Sequence, residues 1–357
     1  METSKKVTVL TTVYNGLPYL ESAIDSTLKQ TYSDFEYMII DDASPDDSVA
    51  KFIESYKDPR INFIKNDKNL GVSATINKAL SMIDTTYVVR LDQDDISLPK
   101  RVEEQIAFLE DNQDISIVCS WEHTIDSEGK RIRDWTRKLD NYGEFLAPVT
   151  LGICPIWHPS IAFRTKDMID IGGFRKEYVR AEDFEVTARL AVKRFGAAVI
   201  PKFHLLQRQH FQSQSKEFEL EQQSMSRRIQ QEVIENFLNK SEAITLTSFL
   251  SLGRDRDQTL DKDLILKNRK ILELLFETVH KRQKLNAIEY RSFKKLIYNR
   301  IGLGVFLVNF YKFLPKPFFM PIFYLLSPLY LKPIYEFSSG LYNSLKNLRS
   351  KLRITRK

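Results

Sequence analysis

Residues 90–95 read Arg-Leu-Asp-Gln-Asp-Asp and directly follow the apolar residues 87–89, Tyr-Val-Val. The apolar run predicts a buried strand, and its end brings three carboxylates together at Asp92, Asp94 and Asp95. Carboxylates this close repel one another unless a positive charge lies between them. A divalent cation that prefers oxygen ligands would supply that charge, and a solvated loop would also relieve the repulsion. The stretch by itself leaves both interpretations open.

The first 120 residues alternate between two patterns. Segments rich in β-branched and apolar residues predict strands at residues 7–13, 37–40, 61–64, 86–91 and 115–119. Segments with apolar residues at helical spacing lie between them and predict helices from Pro18, at 46–56 and 73–83, and from Pro99. This βαβ series predicts an α/β fold, a mostly parallel sheet flanked by helices.

Polar residues follow three of the predicted strands. They form clusters at residues 12–16 (Thr-Val-Tyr-Asn-Gly), 41–44 (Asp-Asp-Ala-Ser) and 92–95. In parallel sheets, ligands bind at the carboxyl ends of the strands, near a switch in strand order. Each cluster alone would also suit an ordinary turn, because Asn, Asp, Ser and Gly favour turns. Three such clusters at one edge of the sheet favour a ligand site.

The rest of the chain departs from this alternation. Residues 121–125 and 131–135 predict a hairpin joined by a turn at 126–130, and residues 184–194 predict a helix. Residues 220–300 are polar and helical in pattern. The apolar face predicted for this region consists of Ile271, Leu272, Leu274, Leu275 and Val279.

The positive charge of the chain is concentrated at its C-terminal end. Residues 301–357 contain nine Lys or Arg and one acid, a net charge of +8, whereas the whole chain carries +6. Residues 301–342 contain twelve Phe or Tyr, and their longest uncharged run, 317–331, is shorter than the ~20 residues of a spanning helix. We therefore expect this tail to associate with an anionic membrane surface rather than with nucleic acid. A helical subdomain packed on the core is the alternative.

Cysteine usage and the N-terminal residues bear on the compartment. Cys119 and Cys154 are the only cysteines, and they lack metal-ligand spacing, which fits a reducing compartment. The first six residues lead into a predicted strand without the apolar segment of a signal peptide. We expect a cytoplasmic protein, peripheral on the inner face of the membrane.

A series of short motifs over residues 5–220 adds a family resemblance. Each motif is weak alone, and their order and spacing together are specific. The motifs are Thr11-Thr12-Val13-Tyr14-Asn15, Gln30-Thr31-Tyr32, Asp34-Phe35-Glu36, Ile39-Ile40-Asp41-Asp42-Ala43-Ser44, Asn69-Leu70-Gly71-Val72, Asn77-Lys78-Ala79-Leu80, Leu91-Asp92-Gln93-Asp94-Asp95, His158-Pro159-Ser160, Gly172-Gly173-Phe174, Glu182-Asp183 and Arg208-Gln209-His210. With these motifs the chain resembles the inverting family 2 glycosyltransferases of the GT-A fold.

The resemblance implies a reaction and its participants. The donor would be a nucleotide-sugar, most often a UDP-sugar, the cofactor Mn²⁺ or Mg²⁺, and the acceptor a saccharide or lipid-linked saccharide. The sugar would be transferred to an acceptor hydroxyl with inversion at the anomeric carbon. The resemblance places a catalytic domain at residues 1–222, and the residue pattern of the rest predicts a helical extension at 223–300 and the membrane-associating tail at 301–357.

The resemblance also assigns site residues. The nucleotide-sugar would contact Thr12, Tyr14, Asp42, Asn69, Asp92, Arg208 and His210. Among these, Thr12 and Tyr14 match residues that line the nucleoside pocket, and Asp42 matches the carboxylate that accepts a hydrogen bond from uracil. Asp94 matches the metal ligand, and Asp183 matches the general base.

These residue types suit the chemistry. A metal held by carboxylate oxygen offsets the charge of the leaving diphosphate, and a carboxylate near the acceptor hydroxyl removes its proton. Simpler roles also remain open for several of them. Asp183 would suit the first turn of the helix at 184–194, because the helix dipole favours acids there. Arg208 and His210 would suit a surface loop, and His158 would suit either the acceptor side or a structural position.

Two departures from the family pattern matter. Many members carry Arg where this chain has Ile76, so one phosphate contact is missing or comes from Arg90 or Arg208. The processive synthases carry Gln-x-x-Arg-Trp, where residues 207–210 read Gln-Arg-Gln-His. We therefore expect one sugar to be added in each encounter.

Two other functions compete with this interpretation. A nucleotidyltransferase would use a similar sheet, but it would need a glycine-rich phosphate loop, and residues 15–18 contain one glycine. A non-catalytic relative acting as an assembly partner would not need both Asp94 and Asp183.

Overall fold

The computed structural model describes residues 5–209, 219–250 and 262–311. The chain divides into two compact units, Met1–Ile229 and Gln230–Lys357. The described part of the first unit contains the strands and their flanking helices, and the described part of the second is helical.

The first unit alternates strands and helices, as the sequence predicts. Its strands are β1 (Val7–Val13), β2 (Phe35–Asp41), β3 (Ile61–Lys65), β4 (Tyr87–Arg90), β5 (Ile96–Ser97), β6 (Ile115–Ile125), β7 (Arg131–Trp135), β8 (Ala162–Arg164) and β9 (Gly196–Arg208). Its helices are α1 (Leu17–Leu28), α2 (Ser48–Glu54), α3 (Val72–Leu80), α4 (Arg101–Asp111), α5 (Tyr142–Thr150), α6 (Thr165–Asp170) and α7 (Glu182–Val192). A 3₁₀ turn, His158–Ser160, precedes β8.

In the described residues the nine strands form one sheet. Their order is β3-β2-β1-β4-β8-β6-β9-β5, and β7 pairs with β6 at the side. β3, β2, β1 and β4 are parallel, whereas β8 runs antiparallel to both β4 and β6. The chain passes from β1 to β2 on one side and returns to β4 on the other. The strand order therefore switches beside β1, where open α/β sheets bind ligands.

Both faces of the central strands are buried. Val7, Val9 and Val13 of β1 pack in one cluster with residues of α1, α2 and α4. Thr8 and Leu10 point to the opposite face and are also buried. Helices cover both faces of a parallel sheet in this way, which explains why these strands are rich in apolar and β-branched residues. The predicted α/β architecture is confirmed.

One predicted boundary is wrong. Residues 115–119 and 121–125 belong to the single strand β6, which pairs with β9 along its length. The pairing register shifts between Ser120 and Trp121, so the strand contains an irregularity there instead of an end. The predicted hairpin from 121 to 135 is confirmed as the antiparallel pair of β6 and β7.

The described residues beyond β9 form helices. They are Glu219–Glu235, Lys240–Leu250, Lys262–Gln283 and Ala287–Tyr311. The third has a buried face that includes Leu272, Leu275 and Val279, as predicted, but Leu274 is 41% exposed. Leu274 was assigned to this face wrongly, because at 100° per residue it lies off the stripe formed by the buried positions.

The predicted tail lies mainly outside the described residues. The helix Ala287–Tyr311 continues across residue 301, where the tail was predicted to begin, and residues 312–357 are not among those described. Every helix in the described part of the chain is too short or too polar to cross a membrane.

Candidate active site

The three polar clusters predicted from the sequence meet at one edge of the sheet. β1 lies between β2 and β4, and hydrogen bonds continue this pairing past the strand ends. The Asp42 N–H donates to the Val13 carbonyl (2.7 Å), and the Leu91 N–H donates to the Leu10 carbonyl (3.0 Å). The loops after these strands therefore share a border at the switch in strand order.

Gln93 joins the first loop to the acidic loop. Its Oε1 accepts from the Tyr14 N–H (2.8 Å), and its Nε2 donates to the Tyr14 carbonyl (3.3 Å). The Asn15 N–H donates to Ser44 Oγ (2.9 Å), which ties the first loop to the second. Sequence reasoning assigned no role to Gln93. The sequence does contain a signal for this role, because Gln93 is the one neutral residue between Asp92 and Asp94.

Asp42 is buried, 4% exposed, and organises the loop that contains Asn69. Its Oδ1 accepts from Asn66 Nδ2 (2.8 Å) and the Leu70 N–H (2.9 Å), and its Oδ2 accepts from the Gly71 N–H (2.8 Å). A carboxylate offers about four acceptor positions, so capacity for one further donor is left on Oδ2. Asn69 is exposed and accepts from the same Gly71 N–H (3.1 Å).

Thr12 and Tyr14 lie on the other side of this border. Thr12 is half-buried at the end of β1, opposite Ile40 of β2, and Tyr14 is 49% exposed. Ala43, directly after Asp42, has a backbone φ of 60°, a conformation that residues other than glycine seldom adopt. The structure thus places Thr12, Tyr14, Asp42 and Asn69 on adjacent loops.

Arg90, Asp92 and His158 form a cluster at the end of β4. Arg90 Nη2 pairs with Asp92 Oδ1 (2.7 Å), while Arg90 Nη1 contacts the ring nitrogens of His158. Burial, and secondly the charge of Arg90, hold the pKa of His158 well below its usual range. The His158 ring is therefore neutral at pH 7 and accepts a hydrogen bond from Arg90. Arg90 also forms an ion pair with Asp92.

Asp94 and Asp95 have different environments. Asp95 is buried and its Oδ1 accepts from the Arg208 N–H (2.8 Å), so this residue anchors the acidic loop to β9. Burial raises the pKa of Asp95 well above its usual range, and the charges of Asp94 and Asp92 raise it further. Asp94 is half-buried at the same loop. Of the three carboxylates, Asp92 and Asp94 are thus the two that keep partial exposure.

A divalent cation fits these two carboxylates as part of a shared site. No group of three or more His, Cys, Asp or Glu side chains within the described ranges is arranged to hold a metal by itself. Mg²⁺ commonly binds through one or two carboxylates and completes its shell with substrate phosphates and water. Asp94, with Asp92 beside it, provides that donor set.

The Arg208 guanidinium is bound to the protein backbone. Its Nε donates to the Asp94 carbonyl (3.1 Å), and its Nη1 donates to the carbonyls of Asp126 (3.2 Å) and Ser127 (3.3 Å). It also lies 4.5 Å from the centre of the Tyr19 ring. Arg208 therefore fixes the acidic loop, and its contact with the diphosphate stays a prediction. His210 lies outside the described residues.

Asp183 lies in the first turn of α7, half-buried. Burial raises its pKa, while the Phe184 N–H and the charge of Arg90 act in the opposite direction and the charge of Asp92 adds to the increase. The charges of Arg90 and Asp92 reach Asp183, so α7 begins near the cluster at the end of β4. Glu182 beside it also has a pKa raised by burial and by Asp183.

At position 76, where many family members carry arginine, this chain has an isoleucine on α3, and Asn77 follows it. Ile76 is buried in the core. Asn77 Nδ2 donates to the Phe174 carbonyl (2.6 Å), and its Oδ1 accepts from the Phe174 N–H (2.8 Å). Gly173 has a φ of 64°, and a Cβ there would lie 2.3 Å from Asn77 Oδ1. In this chain α3 therefore holds the Gly-Gly-Phe loop at this point.

Glu122 and Arg101 are buried charged residues that sequence reasoning missed. Neither side chain is exposed. Glu122 lies on β6 and Arg101 on α4, in segments whose sequences predict an ordinary strand and an ordinary helix. Arg101 Nη2 donates to the carbonyls of Arg90, Pro159 (3.2 Å) and Ile161 (3.3 Å), which holds the end of β4 against the 3₁₀ turn. Burial raises the pKa of Glu122 to about 8.

Glu122→Gln should make the stability of the protein less dependent on pH. The pKa of Glu122 is about 8 in the folded protein, whereas in the unfolded chain it is the usual value of 4.5. The unfolded state therefore binds fewer protons between these values, and this group lowers stability as pH rises. At about 1.4 kcal/mol per pKa unit, a difference of about 3.5 units makes the effect on the order of 5 kcal/mol. Urea unfolding at pH 5 and pH 8.5 tests this, and parallel changes in both proteins would contradict it.

Comparison with known sequences supports a family assignment. Residues 8–172 match the model of glycosyl transferase family 2. A Methanocaldococcus jannaschii protein named as an uncharacterized glycosyltransferase is 31% identical over 207 residues, which cover 56% of this chain and 69% of that protein. A Haemophilus influenzae protein with the same designation is 29% identical over 255 residues, covering 67% of this chain and 76% of that protein.

Comparison with solved structures supports the fold. The crystal structure of S. aureus TarS 1–349 in complex with UDP-GlcNAc matches with a TM-score of 0.54 at 14% identity, covering 86% of this chain and 91% of that chain. At this identity the match concerns the fold, a GT-A-like α/β sheet with flanking helices. Together with the motifs at the carboxyl ends of β1, β2 and β4, these comparisons establish that the chain belongs to glycosyl transferase family 2 and is a glycosyltransferase.

Proposed function

We propose that this chain transfers one sugar from a nucleotide-sugar, most simply a UDP-sugar, to a hydroxyl of a saccharide or lipid-linked saccharide, with inversion at the anomeric carbon. The observation that carries the proposal is the border shared by the three loops after β1, β2 and β4. It provides an exposed aromatic ring at Tyr14, a carboxylate with one open acceptor position at Asp42, and partly exposed carboxylates at Asp92 and Asp94. The solved relative TarS is described in complex with UDP-GlcNAc, which supports this class of donor.

In this proposal, the residue that removes the proton and the groups that face the diphosphate lie at two ends of the site. Asp183 would accept the proton of the acceptor hydroxyl as that oxygen attacks the anomeric carbon. Its raised pKa suits this role, because a base with a pKa nearer to neutral takes up a proton more effectively. One displacement assisted by one base produces inversion. Arg90, held by Asp92 and His158, would keep positive charge close to both carboxylates.

Mn²⁺ or Mg²⁺ would be held by Asp94, with Asp92 beside it, and would offset the negative charge of the departing diphosphate. Asp95 is buried and accepts from the Arg208 N–H, and Gln93 pairs with the Tyr14 backbone, so these two residues fix the loop while Asp92 and Asp94 stay partly exposed. The loop geometry thus separates residues that hold its shape from residues that face a ligand.

The tail at residues 301–357 would bring the enzyme to a membrane that contains its lipid-linked acceptor. This part of the proposal rests on the charge of +8 and the aromatic residues. A chain ending at Tyr311 should bind less to vesicles containing anionic lipid than the full chain does. Equal sedimentation of both chains with these vesicles would contradict it.

UDP release from a panel of UDP-sugars, with Mn²⁺ and then with a chelator, tests the proposed reaction. Slow metal-dependent release from one donor is the expected result, and it also identifies the sugar. Binding of UDP to the protein is measured separately by calorimetry. A protein that binds no UDP and hydrolyses no donor in the presence of Mn²⁺ would contradict the proposal.

A further inference from the structure

Strand β7 and the residues around it form a basic segment, residues 130–138, in a part of the chain that is otherwise acidic. This segment contains five Lys or Arg and one acid, a formal net charge of +4. The remaining residues from 5 to 209 contain 22 Lys or Arg and 31 Asp or Glu, a formal net charge of −9. The basic residues of the segment are Lys130, Arg131, Arg133, Arg137 and Lys138.

The basic segment lies at the protein surface along its whole length. Eight of its nine residues are exposed, and Trp135 is half-buried. Among the described strands β7 pairs with β6 alone, so its other edge has no neighbouring strand there. Ile132 lies between Arg131 and Arg133 and is 53% exposed. The surface therefore combines positive charge with an apolar side chain.

Most of the positive charge in the segment has no acidic partner. In the described part of the chain, only Arg131 of the five basic residues forms an ion pair, with the single acid of the segment. The Arg133 guanidinium lies 4.5 Å from the centre of the Trp135 ring, and Arg137 Nη1 donates to the Cys154 carbonyl (2.8 Å). These contacts hold the two guanidinium groups without neutralising them, because neither an aromatic ring nor a carbonyl carries a net charge.

Protection of a free strand edge explains only part of this pattern. Charged side chains keep an edge strand from pairing with other chains, and both lysine and glutamate are used for this purpose. Here one sign of charge prevails, against the sign of the surrounding sequence, and an isoleucine is exposed among the arginines. Anionic lipid headgroups above an acyl layer complement both properties, because basic surfaces with apolar side chains bind at that boundary.

We propose that the basic segment is the surface through which the first unit contacts an anionic lipid membrane, with Ile132 entering the headgroup layer. The inference rests on the proposed function, in which the acceptor is lipid-linked. It adds a contact on the catalytic unit itself to the one proposed for the tail at residues 301–357.

The position of the segment would place the membrane on the side of the candidate base. Arg137 at the end of the segment is bonded to the Cys154 carbonyl. The Cys154 thiol lies 3.9 Å from Thr187 Oγ1, which donates to the Asp183 carbonyl (2.7 Å). The segment thus ends next to α7, whereas the donor loops follow β1, β2 and β4. A lipid-linked hydroxyl would therefore approach from the side of Asp183.

A fluorophore at position 132 tests the contact directly. Full-length protein with Cys154→Ser and Ile132→Cys is labelled with nitrobenzoxadiazole, whose emission rises and shifts to shorter wavelength in apolar surroundings. Cys119 is buried and stays unlabelled. Ile169→Cys is the matched control, because Ile169 on α6 is 50% exposed. We expect the change at position 132, and none at 169, on vesicles of phosphatidylcholine and phosphatidylglycerol in equal amounts. Vesicles of phosphatidylcholine alone should change neither.

Three results of this experiment would overturn the contact. The first is an unchanged label at position 132 on the anionic vesicles, even if the protein sediments with them, because the tail alone would account for sedimentation. The second is an equal change at positions 132 and 169. The third is a change at position 132 that appears without vesicles as the protein concentration rises, which would assign the segment to a second copy of the chain.

Removal of charge tests the electrostatic part of the contact. Each Lys or Arg beside an anionic leaflet strengthens binding roughly fivefold, so Lys130→Gln combined with Lys138→Gln should weaken vesicle binding on the order of 25-fold. Lys51→Gln combined with Lys193→Gln is the matched control, because these lysines are also exposed and the net charge changes equally. An equal loss of vesicle binding in both pairs would contradict a specific role of the segment.

The affinity of each variant for UDP separates this inference from the proposed function. Calorimetry should give the wild-type UDP affinity for all of these variants, since none of the substituted residues lies on the donor loops. Wild-type protein that binds no UDP contradicts the proposed function. Protein that binds UDP, with an unchanged label at position 132 on anionic vesicles, contradicts the membrane contact alone.

Discussion

Asp183→Asn should lower turnover by at least about 10²-fold, the usual contribution of a general base. Asparagine keeps the shape of the side chain and can still accept from the Phe184 N–H through its oxygen (2.7 Å in the wild type). It does not take up a proton from the acceptor hydroxyl, so donor binding should persist while transfer fails. Transfer rates at saturating donor and acceptor, with UDP affinity measured separately, provide the test.

The pH dependence of the rate adds a second criterion. Burial raises the pKa of Asp183, so the wild-type rate should fall on acidification at a pH above the ordinary range of an aspartate. This acidic limb should be absent from the residual activity of Asp183→Asn. Glu182→Gln is the matched comparison, because Glu182 is adjacent and also has a raised pKa. A larger loss of turnover in Glu182→Gln than in Asp183→Asn would assign the base to Glu182.

Asp94→Ala should abolish metal-dependent turnover. It should also weaken Mn²⁺ binding by more than the roughly 10- to 100-fold that the loss of a supporting residue around a metal site costs. The physical reason is the small number of protein ligands. Where one or two carboxylates hold the ion with substrate phosphates, the loss of one carboxylate removes most of the protein's share. Mn²⁺ binding in the presence of UDP, followed by electron paramagnetic resonance, measures this without relying on turnover.

Asp95→Asn is the control for the Asp94 prediction. Asp95 is the next carboxyl along the chain, but it is buried and accepts from the Arg208 N–H. Asparagine can accept the same hydrogen bond, so this variant should keep the Mn²⁺ affinity of the wild type. Unchanged Mn²⁺ affinity in Asp94→Ala, or an equal loss in both variants, would contradict the metal assignment.

The sheet was predictable because its signals are local. The strand at 7–13 is buried on both faces because helices cover both, and a run of β-branched and apolar residues shows that burial in the sequence. The helix beginning at Pro18 could be located for a similar reason, since proline suits a first turn and Leu20 and Ile24 recur at helical spacing. The prediction failed for Leu274, where the apolar character of a side chain did not reveal which side of the helix faces the core.

For the site, the sequence by itself determined which residue types follow which strands, and thus that Asp42, Asp92 and Asp94 would meet at the carboxyl edge of a parallel sheet. Only the tertiary structure decided how the neighbouring charges divide between binding and support. Gln93, Asp95 and Arg208 hold the loops through bonds to residues far away in sequence, and Glu122 meets Trp157 only because β6 passes the segment before the 3₁₀ turn. The periodicity of apolar residues indicates burial along one element, whereas these partners depend on packing between elements. The burial that this packing produces shifts the pKa values of Glu122, His158 and Asp183.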